Sequence, residues 1–296
     1  MHIRELLLAK KRPLIMGVIN ITPDSFFPFS RKKSVKKAVL AAIQMASDGA
    51  DIIDIGGEST RPGSGYIDEQ EELGRVIPAL KEIALSLKIP VSVDTRKSRV
   101  AYEAIKAGAS IVNDISSLED DPAMAEVVKD AGCDIIIMHK KGTPSDMQEN
   151  TFYADIIKEI YQKLENLTEN AVSKGIDENK ITIDPGVGFG KKGDDNLVII
   201  NNITYFKRLG FPVLIGHSRK SFIGTVTGRV VEERLAGSLA AGVVSLINGA
   251  DILRVHDVKE TLDTVKIVEA LRHGRSALAH RTPARGMDAA EISAGD

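Results

Sequence analysis

The chain has 296 residues, of which 43% are hydrophobic and 27% charged, with a net charge of −2. That length admits one large α/β barrel or two ordinary domains, and the near-neutral charge argues against a general polyanion binder, which needs a basic stripe. The single cysteine, Cys133, excludes an internal disulfide and a CxxC metal site; within AGCDIIIMH it reads as a small buried hydrophobe.

In chain order, MHIRELLLAKKRPLIMG lacks the long apolar core and small-residue cleavage site of a targeting segment. No later apolar run spans a bilayer, so a soluble, cytoplasmic protein is expected. After a short lead (1–13), LIMGVIN (Leu14 to Asn20) reads as a first strand. Helical patterns follow at Val35 to Ser47, Glu69 to Leu87, Ser98 to Ala107, Pro122 to Ala131, Tyr153 to Lys174, Asn196 to Leu209, Glu232 to Ile247 and Val258 to Leu271. In the last of these Val258, Leu262, Val265, Val268 and Leu271 recur at helical spacing. Between the helices lie DGADIIDIG (Asp48 to Gly56), VSVD after Pro90, AGASIVND (Ala107 to Asp114), AGCDIIIMH (Ala131 to His139), ITID after Lys180, VLIG after Pro212 and NGADILRVH (Asn248 to His256). Beyond Gly274 the apolar periodicity is lost, so 275–296 reads as a disordered tail in which His280 needs no function.

Four of the strands share one entry grammar. A helix ends in Gly, which accepts the left-handed conformation; small or acidic residues turn the chain; a β-branched run follows. The other four strands lack the glycine joint but fit the spacing, and eight βα units in about 260 residues match a TIM (β/α)8 barrel formed by a single domain, 1–274. An open doubly wound sheet is the rival, but the glycine-rich phosphate turn expected after its first strand is missing. The longer connections (Ile21 to Ser34, Gly56 to Asp68, His139 to Phe152, Pro185 to Asp195, His217 to Val231) all follow strands, and long loops gathered on one face are usually functional. Strands ending on Asp94, Asn113, Asp184, Arg254 and His256 would bring a polar pocket together at that face. Asp54 and Asp114, which precede small loop residues, are assigned to turn capping. His139 and His217 read as supporting or loop residues.

NITPDSF (Asn20 to Phe26), GESTRPG (Gly57 to Gly63), VSVDTRK (Val91 to Lys97), VNDIS (Val112 to Ser116), MHKKGTP (Met138 to Pro144), DPGVGFGK (Asp184 to Lys191), GHSRKSFIG (Gly216 to Gly224) and RVHDV (Arg254 to Val258) follow one another in register. In this order they resemble the dihydropteroate synthase family, over about Leu14 to Gly274. The resemblance implies condensation of a dihydropterin methyl diphosphate with 4-aminobenzoate, and it implies roles for the residues. Asp94, Asn113, Asp184 and Lys220 would hold the pterin, whose adjacent N–H donors and carbonyl suit carboxylates and an amide. Asn20, Thr60, Arg254 and His256 would take the diphosphate, with the guanidinium offering a forked donor pair. Asn20 would also face Mg²⁺, a cation that keeps several waters and needs few protein ligands. Arg61, Pro62, Phe189 and Ser221 would form the aminobenzoate site, with Arg219 as an alternative cation or a surface ion-pair partner. Asp94, Lys220 and Arg254 would carry catalysis by stabilising charge, with no covalent nucleophile.

The chain departs from the family in its first loop, where Phe27-Pro28-Phe29-Ser30 replaces the usual acidic residue and glycine pair. Two rivals remain at this point. A corrinoid methyltransferase of the same pterin-binding superfamily would have no reason to carry the Thr-Arg-Pro-Gly and Ser-Arg-Lys-Ser loops. A non-catalytic pterin-binding paralogue would not need Arg254 and His256. The partners expected are small molecules and a second copy of the chain, with neither nucleic acid nor membrane.

Overall fold

The computed structural model describes residues 2–21, 31–59, 64–142 and 151–273. Among them, eight parallel strands run β1 (Leu14–Asn20), β2 (Ile52–Gly56), β3 (Val91–Asp94), β4 (Ile111–Asp114), β5 (Asp134–Met138), β6 (Ile181–Asp184), β7 (Leu214–Ile215) and β8 (Ile252–Val255). They pair in the order β6-β5-β4-β3-β2-β1-β8-β7, and a single parallel bridge between Ile183 and Val213 brings the two ends together. The barrel expected from the repeat is formed, and the open doubly wound sheet is excluded by this nearly closed ring.

The helices are α1 (Ile3–Lys10), α2 (Arg31–Ser47), α3 (Glu69–Ser86), α4 (Ser98–Lys106), α5 (Met124–Ala131), α6 (Ile156–Ser173), α7 (Gly193–Asn201), α8 (Ile203–Phe206), α9 (Ser221–Thr227), α10 (Leu235–Ile247) and α11 (Val258–His273). The four glycine joints behave as their sequence requires, since Gly49, Gly108, Gly132 and Gly249 all have positive φ. The acids that follow two of them cap the neighbouring strand. Asp51 accepts the Ile15 N–H at 2.9 Å and Asp251 the Val213 N–H at 2.7 Å.

Several elements differ from expectation, mostly in where a helix starts. The lead contains α1, which was not foreseen. The helix expected from Asn196 to Leu209 breaks at Asn202, whose side-chain amide donates to the Val198 carbonyl at 2.8 Å, and a short 3-10 turn (Lys207–Leu209) completes it. Helix α6 starts at Ile156 rather than Tyr153, because Asp155 caps it by accepting the Lys158 N–H.

Strand periodicity sorts side chains into two layers. Ile15, Ile53, Val93, Val112, Ile137, Ile183 and Leu253 pack outward among the helices. Leu14, Met16, Ile52, Ile111, Ile136, Leu214 and Ile252 fill the barrel's lower interior, and α1 closes that end with Ile3 and Leu6. Two residues further along the same inward face the chemistry changes: Asp54 follows Ile52, Asn113 follows Ile111 and Arg254 follows Ile252. The lower barrel is a dry apolar plug; the upper barrel is ionic. Among the described residues no helix is long and apolar enough to cross a membrane.

Candidate active site

Strand register sets the first row of the mouth. Asn20 pairs with Gly56, Gly56 with Asp94 and Asp94 with Asn113, so three polar residues stand level across β1 to β4. Gly56 leaves the space between them open. A Cβ there would sit 3.4 Å from the Asp94 Cβ and 3.7 Å from the Asn20 Oδ1.

Arg254 ties this row together. Its Nε donates to Asp54 Oδ2 at 2.7 Å and its Nη2 to Asp94 Oδ2 at 2.6 Å, while Asn113 Nδ2 donates to the same Asp54 oxygen at 3.2 Å. Asp54 is fully buried, and its other oxygen, Oδ1, has no hydrogen-bond partner among the described residues. The turn-capping role assigned to Asp54 is therefore wrong: its side chain points into the barrel, not at a turn. The same assignment is right for Asp114, whose carboxylate accepts the Ser116 and Leu118 N–H groups at 2.8 Å each. An acid two residues after a buried Ile, inside the run DIIDIG, was the signal that distinguished Asp54.

The other side of the mouth comes from β6 and the loop after β7. Asp184 is buried and accepts the Gly186 N–H at 2.7 Å. Lys220 donates to the Val187 carbonyl, and its Nζ lies 4.5 Å from the centre of the half-buried Phe189 ring. Gly216 lies between the two cations, with the position of its missing Cβ 3.8 Å from Lys220 Nζ and 4.0 Å from the Arg254 side chain. Ser221 is exposed at the start of α9, next to Lys220. His256 is exposed at the rim, where its Nδ1 stands 3.1 Å from Ser218 Oγ. Thr60, Arg61 and Pro62, and the odd loop Phe27 to Ser30, lie outside the described residues.

Electrostatics follow from burial. Desolvation pushes the Asp94 carboxyl up to about 7, against the Arg254 guanidinium and with the Asp54 carboxylate. Desolvation raises Asp184 as well, opposed by Lys220 and the Gly186 N–H. Lys220 is pulled down to about 8 by burial, with Asp184 resisting. Arg254 is driven up, its own desolvation outweighed by Asp54 and Asp94. Near neutral pH the mouth can therefore carry charge of both signs and change it.

Sequence reasoning did not foresee Lys191. It is buried, with Nζ 2.9 Å from His139 Nδ1 and 2.9 Å from the Phe189 carbonyl, so it stitches the loop after β5 to the loop after β6. Burial brings Lys191 to about 7 and, helped by the Lys191 charge, holds His139 at about 2. His139 is thus a supporting residue. Arg219 is an ion-pair partner, donating to both oxygens of Asp257 at 2.8 Å. Cys133 is buried, and desolvation raises its thiol to about 11, as fits an inert core residue.

The family profile described as "Pterin binding enzyme" matches residues 16–256. The dihydropteroate synthase of Bacillus subtilis is 44% identical over 262 residues, covering 88% of this chain and 90% of that protein. The crystal structure of the Yersinia pestis dihydropteroate synthase with a sulfonamide drug complex superposes with a TM-score of 0.85 at 40% identity, covering 89% of this chain and 95% of that one. The Xanthomonas albilineans dihydropteroate synthase in complex with 7,8-dihydropteroate gives a TM-score of 0.81 at 37% identity, covering 88% and 94%. With the match running through every strand that carries the polar mouth, the chain belongs to the pterin-binding enzymes and, among them, to the dihydropteroate synthase family.

Proposed function

We propose that this chain is a transferase of folate biosynthesis that condenses (7,8-dihydropterin-6-yl)methyl diphosphate with 4-aminobenzoate, releasing 7,8-dihydropteroate and diphosphate. The observation that carries this reading is the ionic barrel mouth, where Arg254 bonds Asp94 and Asp54, Asp54 in turn holds Asn113, and Asp184 and Lys220 stand opposite, in a member of that family. The C–O bond to diphosphate breaks, the amine nitrogen bonds to the methylene carbon, and that nitrogen loses a proton.

Asp184 and Asn113 accept and donate along the pterin edge, and Lys220 holds the ring against the wall made by Phe189. Ionised Asp94 opposes the positive charge that spreads into the dihydropterin as the diphosphate departs. Arg254, with His256, Asn20 and Thr60, takes the leaving phosphates. Arg61, Pro62, Phe189 and Ser221 bind the aminobenzoate.

Magnesium belongs to the proposal. Among the described residues no group of three or more His, Cys, Asp or Glu could hold a metal. The donor set of the Asn20 amide oxygen beside the Asp94 carboxylate fits a cation that keeps its waters and takes further oxygens from the diphosphate. Bound there, Mg²⁺ would offset the charge on the leaving diphosphate. Asn20 would orient that oxygen cluster, and the apolar plug closes the barrel below it.

A cytoplasmic homodimer completes the reading. The exposed apolar residues Leu197 and Val198 of α7, Val226 of α9 and Val244 of α10 line one groove, which supports pairing through that face. Light scattering should give twice the chain mass, and Val226→Asp should give monomers.

The decisive assay supplies both substrates and Mg²⁺ and reads diphosphate and dihydropteroate together. Equimolar appearance that needs the aminobenzoate is expected. Diphosphate release with no coupled product would overturn the proposal.

A further inference from the structure

Asp54 sits where a structural acid has little reason to be. It is fully buried in the upper barrel, away from any helix end, and it shares one oxygen among three donors: Arg254 Nε at 2.7 Å, Arg254 Nη2 at 2.6 Å and Asn113 Nδ2 at 3.2 Å. Its second oxygen takes no hydrogen bond among the described residues. A buried oxygen left unpaired costs about 1–3 kcal/mol. That cost is sustained where the surrounding geometry has another use.

Both neighbours are residues with a proposed hand on substrate. Asn113 has an amide with one donor end and one acceptor end, and nothing in its own strand decides which end faces the pocket. Asp54 decides it: with the NH₂ group held, the carbonyl oxygen is turned away from Asp54 and left as the acceptor. Arg254 is a flexible side chain with a forked head. Asp54 takes its Nε and so fixes the plane of the guanidinium, while Asp94 takes Nη2. We propose that Asp54 is a positioning residue of the transfer reaction, acting through Arg254 and Asn113 to present the guanidinium to the diphosphate and the amide carbonyl to the pterin edge. This rests on the proposed function above.

The test is a double-mutant cycle of Asp54→Asn and Arg254→Lys, read as kcat/KM for the pterin diphosphate, with the KM for 4-aminobenzoate of each enzyme. Asp54→Asn is expected to lower kcat/KM at least tenfold at pH 8 while changing the KM for 4-aminobenzoate less than threefold. The double variant should be no worse than about threefold below Arg254→Lys alone, because both substitutions disable one device. If Asp54→Asn does not fold, Asp54→Glu replaces it in the cycle, keeping the charge but displacing the oxygens by a methylene. Additive losses, or an unaffected Asp54 variant, would overturn the inference while leaving the wild-type turnover, and hence the proposed function, intact. A wild-type enzyme with no turnover would instead refute the function on which the inference stands.

Discussion

Replacing Asp184 by Asn tests the pterin pocket with almost no change of shape. Asp184 ends β6, is 7% exposed and spends Oδ1 on the Gly186 N–H at 2.7 Å. That bond fixes the orientation an Asn must adopt: its oxygen goes to Gly186, and its NH₂ group falls where the second carboxylate oxygen stood. A donor then meets the N–H donors of the pterin edge. A mismatched buried hydrogen-bond pair costs about 1–3 kcal/mol. At about 1.4 kcal/mol per tenfold, affinity for 6-hydroxymethyl-7,8-dihydropterin should fall about 5- to 150-fold. Calorimetry at pH 7 measures it, with far-UV circular dichroism to verify folding. A second consequence has a definite sign. After burial, Asp184 is the largest influence on Lys220 and holds it up near 8. Without that charge Lys220 loses its proton at lower pH, so the alkaline limb of kcat/KM should move down. Unchanged affinity in a folded variant would return Asp184 to a role in the Gly186 turn alone and refute the pterin assignment.

Arg254→Lys should lower turnover by about a hundredfold or more, the scale of losing a transition-state charge partner, with a smaller loss in affinity for the phosphate-free pterin. Equal losses in both would show that the arginine serves mainly to pair Asp54 and Asp94. Gly186→Ala places a Cβ 1.9 Å from the His139 carbonyl oxygen at φ +71, so urea denaturation should register a loss of about 2–4 kcal/mol; an unchanged midpoint would mean the two loops do not pack as described. His217 is buried and held near 4, below its ordinary value, so folding favours its neutral form. Stability should fall as pH drops below about 6.5, by about 2 kcal/mol at pH 5, and His217→Gln should remove that loss in urea melts compared at pH 7.5 and pH 5. Mg²⁺ titrated by calorimetry should bind measurably only with the pterin diphosphate present, since one amide oxygen and one carboxylate do not offset dehydration of a hard cation. Restoring the family pattern with Pro28→Asp, Phe29→Gly and Ser30→Gly should lower the Mg²⁺ needed for half-maximal turnover.

What the sequence by itself determined is what the local backbone determines. Glycine before small or acidic residues and a β-branched run specifies a left-handed turn into a strand, and Gly49, Gly108, Gly132 and Gly249 all adopt it. Four such joints within eight βα units leave few arrangements besides a barrel, whose strand ends share one face, so Asp94, Asn113, Asp184 and Arg254 are legible as a cluster from the chain alone. Helix α1 was missed because its apolar face, with Ile3 and Leu6, is too short to be told from a lead, although the barrel needs it as a plug. The break at Asn202 was missed because a side-chain amide competing for a helix carbonyl leaves the apolar period unchanged.

Only the tertiary structure decided which charge meets which. Asp54 and Arg254 are 200 residues apart in the chain, and Asp94 and Arg254 are 160 apart. Their bonds exist because the ring brings β8 beside β1, and so within reach of β2 and β3. Periodicity puts each of these side chains on the inward face but says nothing of its partner across the barrel. The pairing of Asp54 with Arg254, the stitch from Lys191 to His139, and the displacement of Asp94 and Lys220 toward neutrality are set by ring closure and the exclusion of water. Those are properties of enclosed space, and no window of sequence contains them.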